Sequence, residues 1–336
     1  MAITSVRGRQ GPAQPVRHAP AEPKAYQAFV AQPPPNFLDG ITQGTGSSEL
    51  MDLLHRNPEC SKEKSHQRIL RQWSAYVEAL RETGVEPVIL ESGKEGSPMH
   101  PDRSYVQDQI FIVSVQGRKY GILANPGHQA RAAELADVKA MASKSGIETL
   151  QIEMGHIEIG DIVPDWHSKT VFVGITAGEG KATRTDDAGA AGFADVLGRI
   201  APEFTVVGLK HEGSPHLGTH FTVIGKDIAL CDPNGKIRFD MPYVLREGQL
   251  PFKGLTQFAE PGAQEGIIMV PESEGYAANV LVVNGFAIVP EGYDTVAKIV
   301  ESVYGKENTK LLDFSESREM DGSSTCWSAL HFELRE

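Results

Sequence analysis

The sequence predicts an α/β chain assembled from repeated units, each a pair of short strands followed by a helix and a further strand. Three observations carry this. Apolar runs of strand length come in pairs around a turn residue, as in "QIFIVSV" and "KYGILA" on either side of Gly117. Segments with apolar residues at three- and four-residue spacing follow such pairs. Another apolar run then closes the unit, and the same order returns at irregular intervals of several tens of residues. That pattern suits a pseudo-repeated α/β array better than a doubly wound sheet.

In chain order, residues 1 to 35 are rich in Pro, Ala, Gln and Arg, run into "AQPPPN", and lack sustained periodicity. They read as a mobile tail or surface arm, which leaves 36 to 336 as a single α/β domain. "GITQGTGSSE" (40 to 49) is a Gly/Ser/Thr loop and a candidate lid. "SHQRILRQWSAYVEALRETG" (65 to 84) places Ile69, Leu70, Trp73, Tyr76, Val77 and Leu80 on one helical face, ends at Gly84, and leads into the strand "VEPVIL". After the pair around Gly117 come a helix in "GHQARAAELADVKAMASKSG" and the strand "IETLQI". "TVFVGIT", a helix in "AGAAGFADVLGRI" and "FTVVGL" form the next phrase. "HFTVIG" with "DIALCD" reads as a hairpin; "NVLVVN", "GFAIVP" and the helix "YDTVAKIVESVYG" follow.

The 336 residues carry 44 acidic against 32 basic side chains, a formal net charge of -12. No Lys/Arg cluster of the kind that neutralises phosphates stands out, so nucleic acid and anionic membrane are poor partners. A small cationic or zwitterionic substrate fits the balance better. Cys60, Cys231 and Cys326 are widely spaced and odd in number, with no C-x-x-C. Neither a disulfide framework nor a thiolate zinc site is indicated, and a reducing, cytoplasmic setting is expected. Cys60 and Cys231 read as structural. No apolar stretch approaches the roughly 18 residues of a membrane span. The N-terminus lacks a secretory h-region, although Arg7, Arg9 and Arg17 precede the first acid, Glu22, as in some transit peptides.

Five stretches bear on chemistry. In "MDGSSTCWSALHF" (320 to 332), Cys326 follows small polar residues, a setting for a hydrated, approachable thiol rather than a core one. In "HPDRSYVQDQIFIV" (100 to 113), Asp102 and Asp108 share a face if the chain between them is extended. Two carboxylates at the mouth of a strand would hold a planar cation, and the alternative is a pair of solvated turn residues. In "IEIGDIV" (157 to 163), Glu158 and Asp161 lie in a run otherwise fit for burial, as candidates for acid/base work or as exposed acids of an edge turn. "HEGSPHLGTHFTVIG" holds His211, His216 and His220. A metal pair of His216 and His220 lacks further ligands at suitable spacing, so no metal is expected. His216, leading a strand, is the candidate general acid/base. "GITAGEGKATRTDDAG" (174 to 189) fails as a phosphate loop, because five residues separate Gly174 from Gly180 and Ala182 stands where Ser/Thr is needed. Arg184, at the start of the following helix, is left to read a carboxylate or to sit on the surface.

Taken together, these stretches resemble the guanidino-group-modifying superfamily, in particular the dimethylarginine dimethylaminohydrolase family. "PDRSYVQD" resembles P-D-x-x-F-V-E-D, "RAAE" (131 to 134) resembles R-x-x-E, and "EIGDIV" resembles E-G-G-D-V-L. "TRT" resembles R-T before a helix, "HL" (216 and 217) the catalytic H-L, and "DGSSTCWS" the D-G-x-x-T-C-x-S stretch. The motifs keep the family's order over residues 100 to 330. The resemblance implies a five-bladed α/β propeller (pentein) of ββαβ modules around one central site, without cofactor or metal. It implies Cys326 as nucleophile, His216 as general acid/base, and Glu158, Asp102 and Asp108 as the grip on a guanidinium. Arg131 and Arg184 are candidates for a substrate carboxylate. The implied reaction is hydrolysis of a guanidino group through a covalent S-alkylthiouronium, giving a ureido product and ammonia or an amine. Amidino transfer by the same nucleophile, and non-catalytic binding of a cationic metabolite, are the alternatives. A homodimer is one allowed assembly.

Four departures bear on substrate. Gln107 stands in place of an acid, Ile159 in place of the first glycine of E-G-G-D, and Gly218 follows His-Leu where arginine deiminases carry aspartate. The loop before Arg184 is longer than in the family pattern. These changes point to an arginine derivative or a small arginine-containing peptide.

Overall fold

The computed structural model describes residues 23–34, 62–90, 101–176, 184–212, 215–248, 258–259 and 265–334. The candidate lid at 40–49 and Cys60 lie outside them. So do residues 1–22, but the expected tail does not run to residue 35. Lys24–Ala31 forms strand β1, and its Ala25, Ala28, Phe29, Val30 and Ala31 are fully buried. Small alanines interleaved with Lys24 and Gln27 hide the strand from a hydropathy reading.

Helix α1 (Lys62–Glu82) follows, with Ile69, Trp73, Tyr76, Val77 and Leu80 buried as the periodicity requires. It stops at Gly84, whose φ of 80° favours a residue without Cβ. β2 (Glu86–Leu90) then lies parallel to β1. Next, β3 (Ile110–Val115) and β4 (Arg118–Leu123) form an antiparallel hairpin. Its turn residues Gln116 and Gly117 both have positive φ, as a two-residue turn matched to strand twist needs. α2 (Gln129–Lys144) returns the chain to β5 (Glu148–Leu150), parallel to β4.

The phrase repeats with β6 (Ile162–Asp165) antiparallel to β7 (Thr170–Thr176), then α3 (Asp187–Ile200), then β8 (Thr205–His211) parallel to β7. β9 (Phe221–Gly225) and β10 (Ile228–Cys231) make the expected hairpin. Beyond it, β11 (Tyr243–Arg246) joins β8, and β12 (Phe258–Ala259) with β13 (Gly266–Met269) extends the β10 sheet in parallel. No full-length helix intervenes among the described residues of this unit, because Pro233, Gly235, Pro242 and Gly248 break the pattern. Finally β14 (Leu281–Val283) pairs antiparallel with β15 (Phe286–Pro290), and α4 (Asp294–Tyr304) leads to β16 (Thr309–Leu312), parallel to β15. The last strand, β17 (Ser328–Leu334), pairs antiparallel with β1 and parallel with β3, which brings the two ends of the described chain into one six-stranded sheet.

The leading strands converge. An apolar cavity of about 120 Å³ is lined by Phe111 of β3, Val163 of β6, Phe221 of β9, Leu281 of β14 and Leu330 of β17. Around one end of it lie Gln107, Ile159, Gly218 and Thr325, neighbours in sequence of every candidate catalytic group.

Candidate active site

Four short connections place those groups. A 3-10 turn, Val106–Gln109, delivers Asp108 just ahead of β3. Another, Ile159–Asp161, follows Glu158 just ahead of β6. His216 caps a one-turn helix, Leu217–His220, ahead of β9. Cys326 ends the loop that enters β17. Asp108, His216 and Cys326 line one cavity together with Arg131, Arg184, Tyr105 and Asp321.

His216 sits between two acids. Its Nε2 lies 2.8 Å from Glu158 Oε2, and its Nδ1 lies 3.6 Å from Asp108 Oδ1. The turn beneath it is fixed by Asp161, which is fully buried. Asp161 Oδ1 accepts from the Leu217 N–H at 2.7 Å, and its Oδ2 accepts from the Thr185 hydroxyl at 2.6 Å. His211 Nε2 lies 3.3 Å from the same carboxylate. Of the two readings open for Glu158 and Asp161, the buried one holds, and one acid faces the ring while the other holds its backbone.

Burial disfavours charge throughout the site, and the outcome differs by partner. At Glu158 the His216 contact, aided by Arg184, outweighs burial and holds the carboxyl well below the usual range. At Asp108 burial wins over His216 and Arg131, and its carboxyl is raised. At His216 burial is outweighed by Asp108 and Glu158, and the imidazole is raised. Burial and then the charge of Asp108 push the Cys326 thiol up to about 12. Both shifts favour the protonated forms, thiol at Cys326 and imidazolium at His216.

Several expectations change on contact with the structure. Cys326 is not hydrated: it is 7% exposed, and Ser323 and Ser324 of its loop are fully buried. The small residues serve close packing, since a Cβ at Gly322 would stand 2.3 Å from the Tyr105 ring. The segment from Asp102 to Asp108 is not extended. It folds as two 3-10 turns, Pro101–Ser104 and Val106–Gln109, so the extended spacing from which a shared face was argued does not apply. The side chain of Asp102 lies outside those described. His220, at the end of the helical turn that follows His216, faces Asp232, with Nδ1 2.7 Å from Oδ2. Asp108, Glu158 and His216 offer ligand atoms within 4.8 Å of one another, yet these donors already face Arg131, Arg184 and each other.

The two arginines expected to read a carboxylate are both engaged with acids of the site. Arg131, in the first turn of α2, is 1% exposed and binds Asp108 at 2.7 Å and Glu134 at 2.9 Å. This geometry makes it a brace for Asp108. Arg184 is a quarter exposed, and its guanidinium lies 3.1 Å from Glu158 Oε2. Cys231 is buried in β10 with its thiol pushed up to about 12 by burial, in keeping with a structural role.

Sequence reasoning missed Asn279 and Gly160. Asn279 follows a 3-10 helix, Glu272–Ala278, and its amide contacts Gly218, Thr325 and Cys326. Its only sequence signal was a polar residue opening the apolar run "NVLVVN". Gly160 packs under the His216 ring, where a Cβ would stand 2.6 Å from Nδ1.

No protein-family model matches the chain. The N(G),N(G)-dimethylarginine dimethylaminohydrolase of Pseudomonas aeruginosa is 27% identical over 309 residues, covering 90% of this chain and 98% of its own. The protein of the same name from Streptomyces coelicolor is 23% identical over 314 residues, covering 92% and 98%. Among solved structures, a dimethylarginine dimethylaminohydrolase adduct with S-methyl-L-thiocitrulline has a TM-score of 0.65 at 22% identity, covering 91% of this chain and 99% of that one. The N-terminal domain of ArgZ, a cyanobacterial arginine dihydrolase, has a TM-score of 0.66 at 15% identity, covering 91% and 98%. These last two likenesses concern the fold. By sequence the chain is similar to dimethylarginine dimethylaminohydrolases over about nine-tenths of its length, and it shares its fold with solved structures of that name and of ArgZ. In that sense the chain is dimethylarginine dimethylaminohydrolase-like.

Proposed function

We propose that this chain is a cysteine-dependent hydrolase of C–N bonds in a guanidino group, with Cys326 as nucleophile and His216 as general acid/base. The observation that carries the reading is the lining of one cavity by Cys326, His216 and Asp108, with Glu158 bound to the histidine behind them. The similarity to two dimethylarginine dimethylaminohydrolases supports the substrate class. Five of the antiparallel pairs, β3–β4, β6–β7, β9–β10, β14–β15 and β17–β1, each give a strand to the lining of one cavity, which supports a five-bladed propeller.

A guanidinium keeps its proton at any working pH. Asp108 and Glu158 supply negative charge on the side from which it is bound. In exchange the bound cation lowers the thiol pKa, and the Cys326 proton is released. The thiolate adds to the central carbon and the C–N bond to the leaving amine breaks. His216, in its imidazolium form, gives that amine its proton, leaving the S-alkylthiouronium. The neutral imidazole then takes a proton from water, the hydroxide adds to the same carbon, and the C–S bond breaks to give the ureido product.

The cavity measures about 30 Å³ in this state, room for a water or two rather than a side chain. Substrate entry therefore requires side chains of the lining to move apart. Arg131 has both terminal nitrogens bound to buried acids, and a Cβ at Gly218 would stand 2.7 Å from the Gly160 carbonyl. An aspartate at 218 has no room, and a free α-carboxylate is a weak handle. Both features favour an arginine derivative or a small arginine-containing peptide over free arginine.

The test is intact mass and product analysis with arginine, methylarginines and arginyl dipeptides, with and without glycine, for the wild type and His216→Ala. A ureido product from the wild type, with an amidino-type adduct on Cys326 that persists in His216→Ala, is the expected result. Transfer to glycine in place of a ureido product would make the chain an amidinotransferase. Binding without adduct or product across the panel would make it a binder.

A further inference from the structure

We infer that Asn279 is a catalytic residue whose side-chain amide donates to the Cys326 sulfur while locking it to the His216 turn. The inference rests on the reading of Cys326 as nucleophile and names a group that reading does not include. Asn279 is fully buried, at the junction of the Glu272–Ala278 helix and β14. Its Oδ1 accepts from the Thr325 N–H at 2.9 Å, and its Nδ2 donates to the Gly218 carbonyl at 3.1 Å. A backbone N–H can only donate and a carbonyl can only accept, so the amide has one permitted orientation. In that orientation Nδ2 has a second hydrogen, and Cys326 Sγ lies 3.8 Å away. The Ser324 hydroxyl binds the Asn279 carbonyl at 2.7 Å and anchors the residue from the other side.

The consequences are geometric and electrostatic. One amide ties the loop before Cys326 to Gly218, two residues after His216, and so fixes the spacing of nucleophile and acid/base. A hydrogen bond into sulfur stabilises thiolate more than thiol, because the charged acceptor binds the donor more strongly. This matters where burial and the Asp108 charge work against ionisation. Asp108, His216, Arg131, Arg184 and Asp321 share the cavity with the thiol, and Tyr76 and Tyr276 interact with it electrostatically. All are unchanged by a substitution at 279.

The experiment uses Asn279→Asp, which keeps shape and reverses polarity toward Gly218 and sulfur, and Asn279→Ala, which deletes the donor. Circular dichroism scores folding. Steady-state kinetics on the best substrate are read alongside the iodoacetamide alkylation rate of Cys326 from pH 7 to 9, mapped by peptide mass. We expect kcat to fall roughly 10- to 100-fold with KM little changed, as for loss of a hydrogen bond to a charged group. We expect alkylation to slow about tenfold at each pH, one unit of thiol pKa. Alkylation needs no turnover, so it reports on the Asn279–sulfur contact even if guanidine hydrolysis proves wrong. Slowed alkylation without wild-type turnover would sink the hydrolase and keep the contact. Unchanged alkylation in folded variants overturns the inference. Unfolding of both variants also overturns it, in favour of a role in holding the fold.

Discussion

Gly160 sets a tight steric condition beside the histidine. A Cβ there would meet Asp108 Oδ1 at 2.5 Å and His216 Nδ1 at 2.6 Å. Neither neighbour has freedom to retreat, since Asp108 is held by Arg131 and the opposite ring nitrogen of His216 by Glu158. Gly160→Ala should therefore move the ring rather than be absorbed. Overpacking of this kind costs about 1–3 kcal/mol, and the geometric error at an acid/base adds to it. A fall in kcat of roughly 100-fold, with a lowered Tm and an intact circular dichroism spectrum, is expected. Activity within a factor of two of wild type would show that the ring position is not critical. The adjacent Ile159 follows different physics: it is buried along the axial cavity, on the side away from the charged groups, so its substitution for glycine adds apolar contact without crowding His216.

At the scale of elements, the start of α3 links stability to the site. Asp186 caps the helix, accepting from the Gly189 N–H at 2.7 Å, and its own N–H binds the His156 carbonyl at 2.9 Å. Thr185 and Arg184 immediately precede it and reach Asp161 and Glu158. Asp186→Ala should cost about 1 kcal/mol, or about 2 °C in Tm for a domain of this size. It should also weaken the hold on Arg184, which KM would register; a lowered Tm with unchanged KM would disconnect the cap from the site. The elements themselves were largely legible in the sequence because strands of the hairpins are uniformly apolar and the helices amphipathic. β1 was not, since alanine serves either element. After β10 the order of strand pair, helix and strand is not kept among the described residues, where prolines and glycines interrupt the chain. At the site, Cys326, His216, Glu158 and Asp108 stood out by motif. Their partners did not: that Arg131 braces Asp108, that Arg184 occupies Glu158, and that Asn279 touches sulfur all depend on contacts between residues 23 to 61 positions apart in the chain.

Across the whole molecule the decisive joint is β17, which pairs with β1 on one side and β3 on the other. His331 stands in that joint, 3% exposed, with Nε2 2.7 Å from the Ser114 hydroxyl of β3. Burial, reinforced by Lys119 and partly offset by Glu333, lowers its pKa from 6.5 to about 4. Between those values the unfolded chain binds more protons than the folded one, so stability falls as pH drops through the window and returns above 6.5. The site groups titrate differently. The raised imidazole of His216 favours folding fully below 6.5, and the depressed Glu158 withdraws its contribution only as pH falls below 4.5. Asp108, raised by burial, opposes the trend, but equally in any variant at 331. The difference between wild type and His331→Gln, which keeps a polar partner for Ser114, therefore isolates the joint. Urea midpoints measured from pH 7.5 to 4 should converge or cross as pH falls, with the wild type losing stability faster. Parallel curves would show that β17 does not open when His331 gains a proton, and that the closure of the chain ends is held by the strand pairing alone.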